Sequence, residues 1–236
     1  MRVEPYTIGD FVHVYNCGNR KMPIVYDEDD KWRWLKILRY FNDENSSHFA
    51  FRRIMSLHRF DLCKPFEWPK SWPLPRPLVK ILAYHLATNH FHLLLKEIVK
   101  GGVSKFMKKL GDGFTGYINV KYNQVGRLFQ GSYKAKLPKG KNGLPYLDAY
   151  IQVFNPFELY PGGIKKALKD FDKAFEFALN YPFCSLGETF GKRNLGIIDR
   201  DVLREMFPNL KAYKEFAYDA LMIRNIREVL GKSTID

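Results

Sequence analysis

The stretch Leu78-Val79-Lys80-Ile81-Leu82-Ala83-Tyr84-His85-Leu86-Ala87-Thr88-Asn89-His90-Phe91-His92-Leu93-Leu94-Leu95-Lys96-Glu97-Ile98 decides the fold. Two apolar runs, Leu78 to Ala87 and His90 to Ile98, flank Thr88-Asn89, which predicts two strands joined by a tight turn. Alternate residues of a strand share a face, so His90 and His92 project together while Phe91 and Leu93 point to the core. Two imidazoles so placed form half of a divalent-metal site. With an oxygen ligand and open positions, such an ion acts as a Lewis acid on a phosphate. The same spacing equally suits two unrelated histidines on a half-buried strand. Val79 to Val99 carries three His, two Lys and a Glu, which argues against a membrane span.

Upstream, Thr7 to Tyr15 ends with Phe11, His13 and Tyr15 alternating with Val12 and Val14, a strand pattern. Asp27-Glu28-Asp29-Asp30 then precedes Trp32 to Phe41, where Trp34, Ile37, Leu38 and Phe41 recur at helical spacing behind an acidic first turn. Phe60 to Pro77 holds five prolines and reads as an irregular loop. Downstream, Lys105 to Tyr122 is helical by pattern despite three internal glycines, and Val125 to Leu137 reads as a strand or hairpin. Pro145 opens a helix through Phe154, stopped by Asn155-Pro156. Tyr160-Pro161-Gly162-Gly163 is a linker, followed by helical patterns over Ile164 to Leu179 and Arg200 to Val229. The order predicts an α+β fold, an antiparallel sheet flanked by helices, with an α-helical C-terminal extension. The expected division is 1–160 for the sheet domain and 161–236 for the extension.

The chain has 236 residues with 38 Lys+Arg against 25 Asp+Glu, a net charge of +13. That excess favours a polyanionic partner, nucleic acid ahead of a membrane surface, since no basic amphipathic helix or lipidation motif stands out. Lys105, Lys108 and Lys109 form a basic edge on one helix, and Arg127, Lys134 and Lys136 line the strand after it. They suit phosphate contacts, and equally a solvated charged face. Phe129 and Tyr133 suit stacking on bases or the core. Cys17, Cys63 and Cys184 are scattered and odd in number, as expected of reduced thiols. The start, Met1 to Tyr6, lacks the apolar core of a signal peptide, so the expected location is cytoplasmic and nucleoid-associated.

A tyrosine phenol can attack phosphorus and hold a DNA end as a phosphotyrosine, conserving the bond energy for rejoining. Tyr150 sits on the helix after the basic strand, within Tyr146-Leu147-Asp148-Ala149-Tyr150-Ile151-Gln152-Val153-Phe154-Asn155-Pro156. With 14 tyrosines in the chain, Tyr150 alone reads as readily as a packing residue. The opening Glu4-Pro5 to Tyr15, the hairpin Tyr84 to Leu95, the block Gly126-Arg127-Leu128-Phe129-Gln130-Gly131-Ser132-Tyr133-Lys134-Ala135 and the Tyr150 to Pro156 segment stand in order along residues 1 to 160. Together they resemble the single-tyrosine HUH transposases, in particular the branch that includes the REP-associated tyrosine transposases.

The resemblance implies a ferredoxin-like fold and a Mg²⁺- or Mn²⁺-dependent endonuclease acting on single-stranded DNA with imperfect hairpins. It implies a 5′-phosphotyrosine, a released 3′-hydroxyl, and either a monomer or a homodimer. By position, His90 and His92 would be metal ligands and Tyr150 the nucleophile, with Tyr146 in reserve. The family places a third, polar ligand one turn after the tyrosine; here that position is Phe154. Asn155 lies five residues on, about 140° round a regular helix. It is the expected third ligand if the helix bulges before Pro156; Gln152 would face away. The rivals are a rolling-circle initiator or relaxase with the same chemistry, and a hairpin-binding relative that has lost catalysis. His13, His48 and His85 have no evident partner and read as structural, and His58, upstream of the proline-rich loop, is unassigned.

Overall fold

Four strands form one antiparallel sheet: β1 (Phe11–Cys17), β2 (Val79–Leu86), β3 (His90–Glu97) and β4 (Lys134–Lys136), ordered β2-β3-β1-β4. Helices α1 (Glu28–Phe41) and α2 (His48–Leu57) join β1 to β2, and α3 (Gly102–Lys121) joins β3 to β4. This is the ferredoxin-like arrangement expected from the sequence. The computed structural model describes residues 5–57, 68–140 and 142–233. Glu4, His58, Cys63 and the start of the proline-rich segment lie outside the described residues.

Strand alternation sorts the sheet into two faces. Val12, Val14, Phe91, Leu93 and Leu95 meet Trp34, Leu38 and Phe41 of α1 and Phe106, Leu110 and Phe114 of α3. On the opposite face Leu82, Ala83 and Leu94 pack against Ile151. A β-bulge between Ile81 and Ala83 decides what β2 contributes to each. Ile81 belongs to the α1/α3 side, whereas after the inserted residue Tyr84 and Leu86 do, leaving Ala83 and His85 on the other. The bulge thus re-aims His85 toward the Ile151 side.

Asp27 and Asp30 close a capping box that starts α1 at Glu28, ahead of its apolar stripe. In α3, a Cβ on Gly113 would collide with the Phe41 ring, so glycine there permits the close approach of α1 and α3. The strand or hairpin expected over Val125 to Leu137 reduces to the three residues of β4. The preceding loop touches the sheet through an isolated bridge, Gly18 to Phe129, and turns at Gly126 with φ 91°.

The helix expected to end at Asn155-Pro156 instead continues. It comprises α4 (Gly143–Ala149), a π-helical turn (Tyr150–Phe154) and α5 (Asn155–Glu158). Pro156 has no N–H to give a preceding carbonyl, and the Cys184 thiol donates to the Gln152 carbonyl at 3.3 Å. Beyond it come α6 (Gly163–Lys169), α7 (Phe171–Asn180), α8 (Leu186–Thr189), α9 (Asp201–Met206) and α10 (Leu210–Ser233). The expected helices over Ile164 to Leu179 and Arg200 to Val229 are each split, the first at Asp170 (φ −113°, ψ 44°) and the second at Phe207-Pro208. Ala149, Val153, Phe154 and Phe157 share a core with Phe175, Tyr213 and Ala217, so the extension packs on the Tyr150 helix. The segment around Phe183 to Ser185 also bonds along the outer edge of β2 (Leu86 N to Phe183 O, 2.9 Å; Ser185 N to Tyr84 O, 2.9 Å), covering an edge that would otherwise be open. No described helix is long and apolar enough to cross a membrane.

Candidate active site

One cross-strand row runs over all four strands: His85 opposite His92, His92 opposite Tyr15, and Tyr15 opposite Lys134. His13, two residues before Tyr15, completes a ring cluster. Its ring stacks on Tyr15 (centroids 4.9 Å) and on His92 (5.1 Å), and Tyr15 stacks on His92 (5.7 Å). His90 meets His92 edge-on at 5.2 Å, with His85 6.3 Å beyond it. Tyr150 stands edge-on above this cluster, 5.5 Å from His92 and 6.0 Å from His13. Tyr146, one turn earlier, is exposed and meets Phe154 at 6.0 Å, with no ring contact to a histidine among the described residues.

The ring nitrogens are allotted. His90 Nδ1 lies 2.8 Å from Asn89 Oδ1 and therefore carries the proton, leaving Nε2 with a lone pair. His92 Nδ1 lies 2.9 Å from His13 Nε2, leaving His92 Nε2 unengaged by that contact. Burial pushes His92 down to about 2, His13 to about 4 and His85 to about 3. Neighbouring imidazoles add to the effect on His92, as Lys136 does on His13. His90 is lowered by burial too, with the Glu158 carboxylate acting against it. Neutral imidazoles are the form that binds metal. His13 and His85, which read as structural by sequence alone, thus lie among the site histidines. His13 was legible in the Phe11-His13-Tyr15 alternation. His85 was not, because an unmarked bulge sets its face.

In the π turn the Asn155 N–H bonds back to the Tyr150 carbonyl, five residues away. This wide turn moves Asn155 from the far side of the helix toward the side of Tyr150. Asn155 is 1% exposed, and its Nδ2 has no hydrogen-bond partner. Turning the amide over exchanges nitrogen and oxygen, so the same position presents an oxygen equally well. Gln152 is committed elsewhere: its Oε1 accepts from Ser185 Oγ and Thr189 Oγ1 (2.8 Å each), and its Nε2 donates to Asp148 (2.7 Å). Among the described residues no group of three or more His, Cys, Asp or Glu is arranged to hold a metal. The buried, unsatisfied Asn155 amide is an uncharged group whose chemistry would suit a metal held by His90 and His92.

The six basic residues divide. Lys134 and Lys136 flank the Tyr15 ring at 5.8 and 6.0 Å, on the histidine face. Lys105, Lys108 and Lys109 lie on α3, which covers the opposite face. Lys108 pairs with Asp112 (2.6 Å). Lys109 donates to the carbonyls of Asp43, Glu44 and Ser46 at 2.7 to 3.0 Å, a peg between α3 and the loop after α1. Arg127 is exposed on an open cleft of about 770 Å³ between α3 and the loop before β4. Phe129 packs toward Phe91 (5.8 Å), and the Tyr133 hydroxyl bonds that of Tyr6 (2.9 Å), so both serve packing.

Residues 76–153, from β2 through most of the π turn, match the transposase IS200-like family. The single-tyrosine transposase resemblance read from the sequence is borne out by this match. A search of curated proteins finds none that matches. Among solved structures, that of a REP-associated tyrosine transposase bound to a REP hairpin is similar. It is 14% identical, with a TM-score of 0.45, over 84% of this chain and 94% of that one.

Proposed function

We propose that the protein is a metal-dependent transposase that cuts and rejoins single-stranded DNA near hairpins through Tyr150. The observation that carries the reading is the placement of the Tyr150 ring over His92 and His13, with Asn155 brought round by the wide turn. His90, His92 and Asn155 would hold Mg²⁺ or Mn²⁺, which when bound polarises the scissile phosphate and stabilises the charge developing on it. The Tyr150 oxygen forms the new bond to phosphorus as the bond from phosphorus to the 3′-oxygen breaks. The phenol gives up its proton, the departing 3′-oxygen takes one up, and the DNA 5′ end stays on the protein as a phosphotyrosine. Reversal with another 3′-hydroxyl rejoins the strand.

The wide turn counts against a hairpin-binding protein without catalysis, whose support is the five-residue gap between Tyr150 and Asn155. The IS200-like match counts for the transposase over an initiator or relaxase. Mn²⁺ titrations followed by electron paramagnetic resonance test the metal assignment. Binding by the wild type and loss in His90→Ala and His92→Ala are expected; equal binding by all three would remove these histidines from the site.

A further inference from the structure

The edge of the sheet beside the histidines carries a group of side chains with no partner for its chemistry. Tyr15 is half-buried, and its hydroxyl has no hydrogen-bond partner among the described residues. Its ring runs close to parallel with those of His13 and His92, at interplanar angles of 28° and 21°. Lys134 and Lys136, on the short edge strand β4, are exposed and hold their ammonium groups 5.8 and 6.0 Å from this ring. Neither lysine pairs with a carboxylate among the described residues, unlike Lys80, Lys108, Lys121, Lys166 and Lys214. An aromatic face between two unneutralised cations, one residue across the sheet from His92, matches a nucleotide: a base for the ring and phosphates for the ammonium groups.

We propose that Tyr15, Lys134 and Lys136 form the seat for the nucleotide next to the scissile phosphate, so that the single strand crosses the β4 edge to reach Tyr150. The register sets the order. Lys134, Tyr15 and His92 are successive members of one row, so a strand laid along it meets phosphate contact, stacking ring and ligand histidine in turn. The base slides over the ring while the lysine side chains, long and flexible, swing outward to the backbone on either side. This seat rests on the reading of the site as a single-strand DNA endonuclease. It deepens that reading by stating where the substrate approaches and which side chain senses a base. Because stacking accepts any base, the seat supplies affinity and alignment with little sequence preference.

Two fluorescent probes of equal length separate the contributions: oligo-dT, and an abasic deoxyribose-phosphate oligomer that keeps the phosphates without bases. Tyr15→Leu should weaken oligo-dT binding roughly five- to a hundredfold and leave the abasic strand unchanged. Tyr15→Phe should retain wild-type affinity for both. The double variant Lys134→Gln/Lys136→Gln should weaken both probes and reduce the salt slope of log K by about 1.4. Mn²⁺ affinity, unchanged in Tyr15→Leu, shows that the neighbouring histidines stay in place. Equal losses of Tyr15→Leu on both probes, or no loss on either, would overturn the stacking seat. A wild-type protein that binds neither probe would instead overturn the DNA-processing reading, and the seat with it.

Discussion

His13 Nε2 lies 2.9 Å from His92 Nδ1, and two neutral imidazoles in that contact share a single proton. Where His13 donates, the His92 proton sits on Nε2 and blocks it; where His92 donates, Nε2 keeps its lone pair. Only the second arrangement suits a metal ligand, and it makes His13 the acceptor that fixes the tautomer of His92. Removing that acceptor frees the His92 ring. His13→Ala should therefore weaken Mn²⁺ binding roughly tenfold to a hundredfold, with His13→Gln partly restoring it. Affinity unchanged in His13→Ala would show that the pair is packing alone.

Asn155 and Gln152, three residues apart, should separate cleanly in a paired measurement. Asn155→Ala removes an unpartnered amide, so stability should hold while Mn²⁺ affinity drops. Gln152→Ala strips partners from Asp148, Ser185 and Thr189 in the core and should cost roughly 2 to 4 kcal/mol in urea unfolding. Metal affinity lost in Gln152→Ala and kept in Asn155→Ala would reverse the assignment.

Burial pushes the Asp148 carboxyl from 3.8 up to about 7, against hydrogen bonds from Tyr213 and Gln152 that favour its ionised form. The folded protein thus holds this proton more tightly than the unfolded chain. The resulting stability is complete below about pH 4 and is lost as pH climbs through 7, amounting to up to roughly 4 kcal/mol. Asp148→Asn removes the titration, so the stability difference between wild type and variant should shift in the variant's favour from pH 5 to pH 8. Parallel unfolding free energies across that range would contradict the buried neutral acid.

Two glycines of α3 should respond to alanine with opposite signs. A Cβ on Gly111 meets nothing within 4 Å, so Gly111→Ala should stabilise by about 0.5 to 1 kcal/mol through helix propensity. At Gly113 the methyl meets the Phe41 ring, and overpacking should cost roughly 1 to 3 kcal/mol. Thermal melts of the two variants read the difference directly.

The sheet was legible because two long apolar runs, Leu78 to Ala87 and His90 to Ile98, flank the turn at Thr88-Asn89. The alternation of Phe11, His13 and Tyr15 with Val12 and Val14 contained another histidine strand of the site; only the cross-strand register reveals that His13 meets His92 and Tyr15 faces Lys134. The bulge after Ile81 carries no glycine or proline to announce it, so the facing of His85 was hidden. Pro156 read as a helix stop because the proline rule assumes an unmet carbonyl. The thiol of Cys184, distant in sequence, meets the Gln152 carbonyl, and the helix continues through a π turn. That turn also altered the angular sum that had placed Asn155 off the tyrosine face. Lys108 and Lys109 form a basic edge by spacing alone, and only the tertiary structure brings them their partners, Asp112 and the loop after α1.

In the proposed reaction Tyr150 becomes covalently joined to DNA. Incubation with Mn²⁺ and a pool of single-stranded, hairpin-containing oligonucleotides, nuclease trimming and peptide mass spectrometry would locate the bond. A nucleotide is expected on Tyr150 itself, told apart by peptide fragmentation from Tyr146 and Tyr160 of the same tryptic peptide, absent without metal and absent in Tyr150→Phe. A nucleotide on Tyr146 or any other residue, or a modification that persists in Tyr150→Phe, would contradict it.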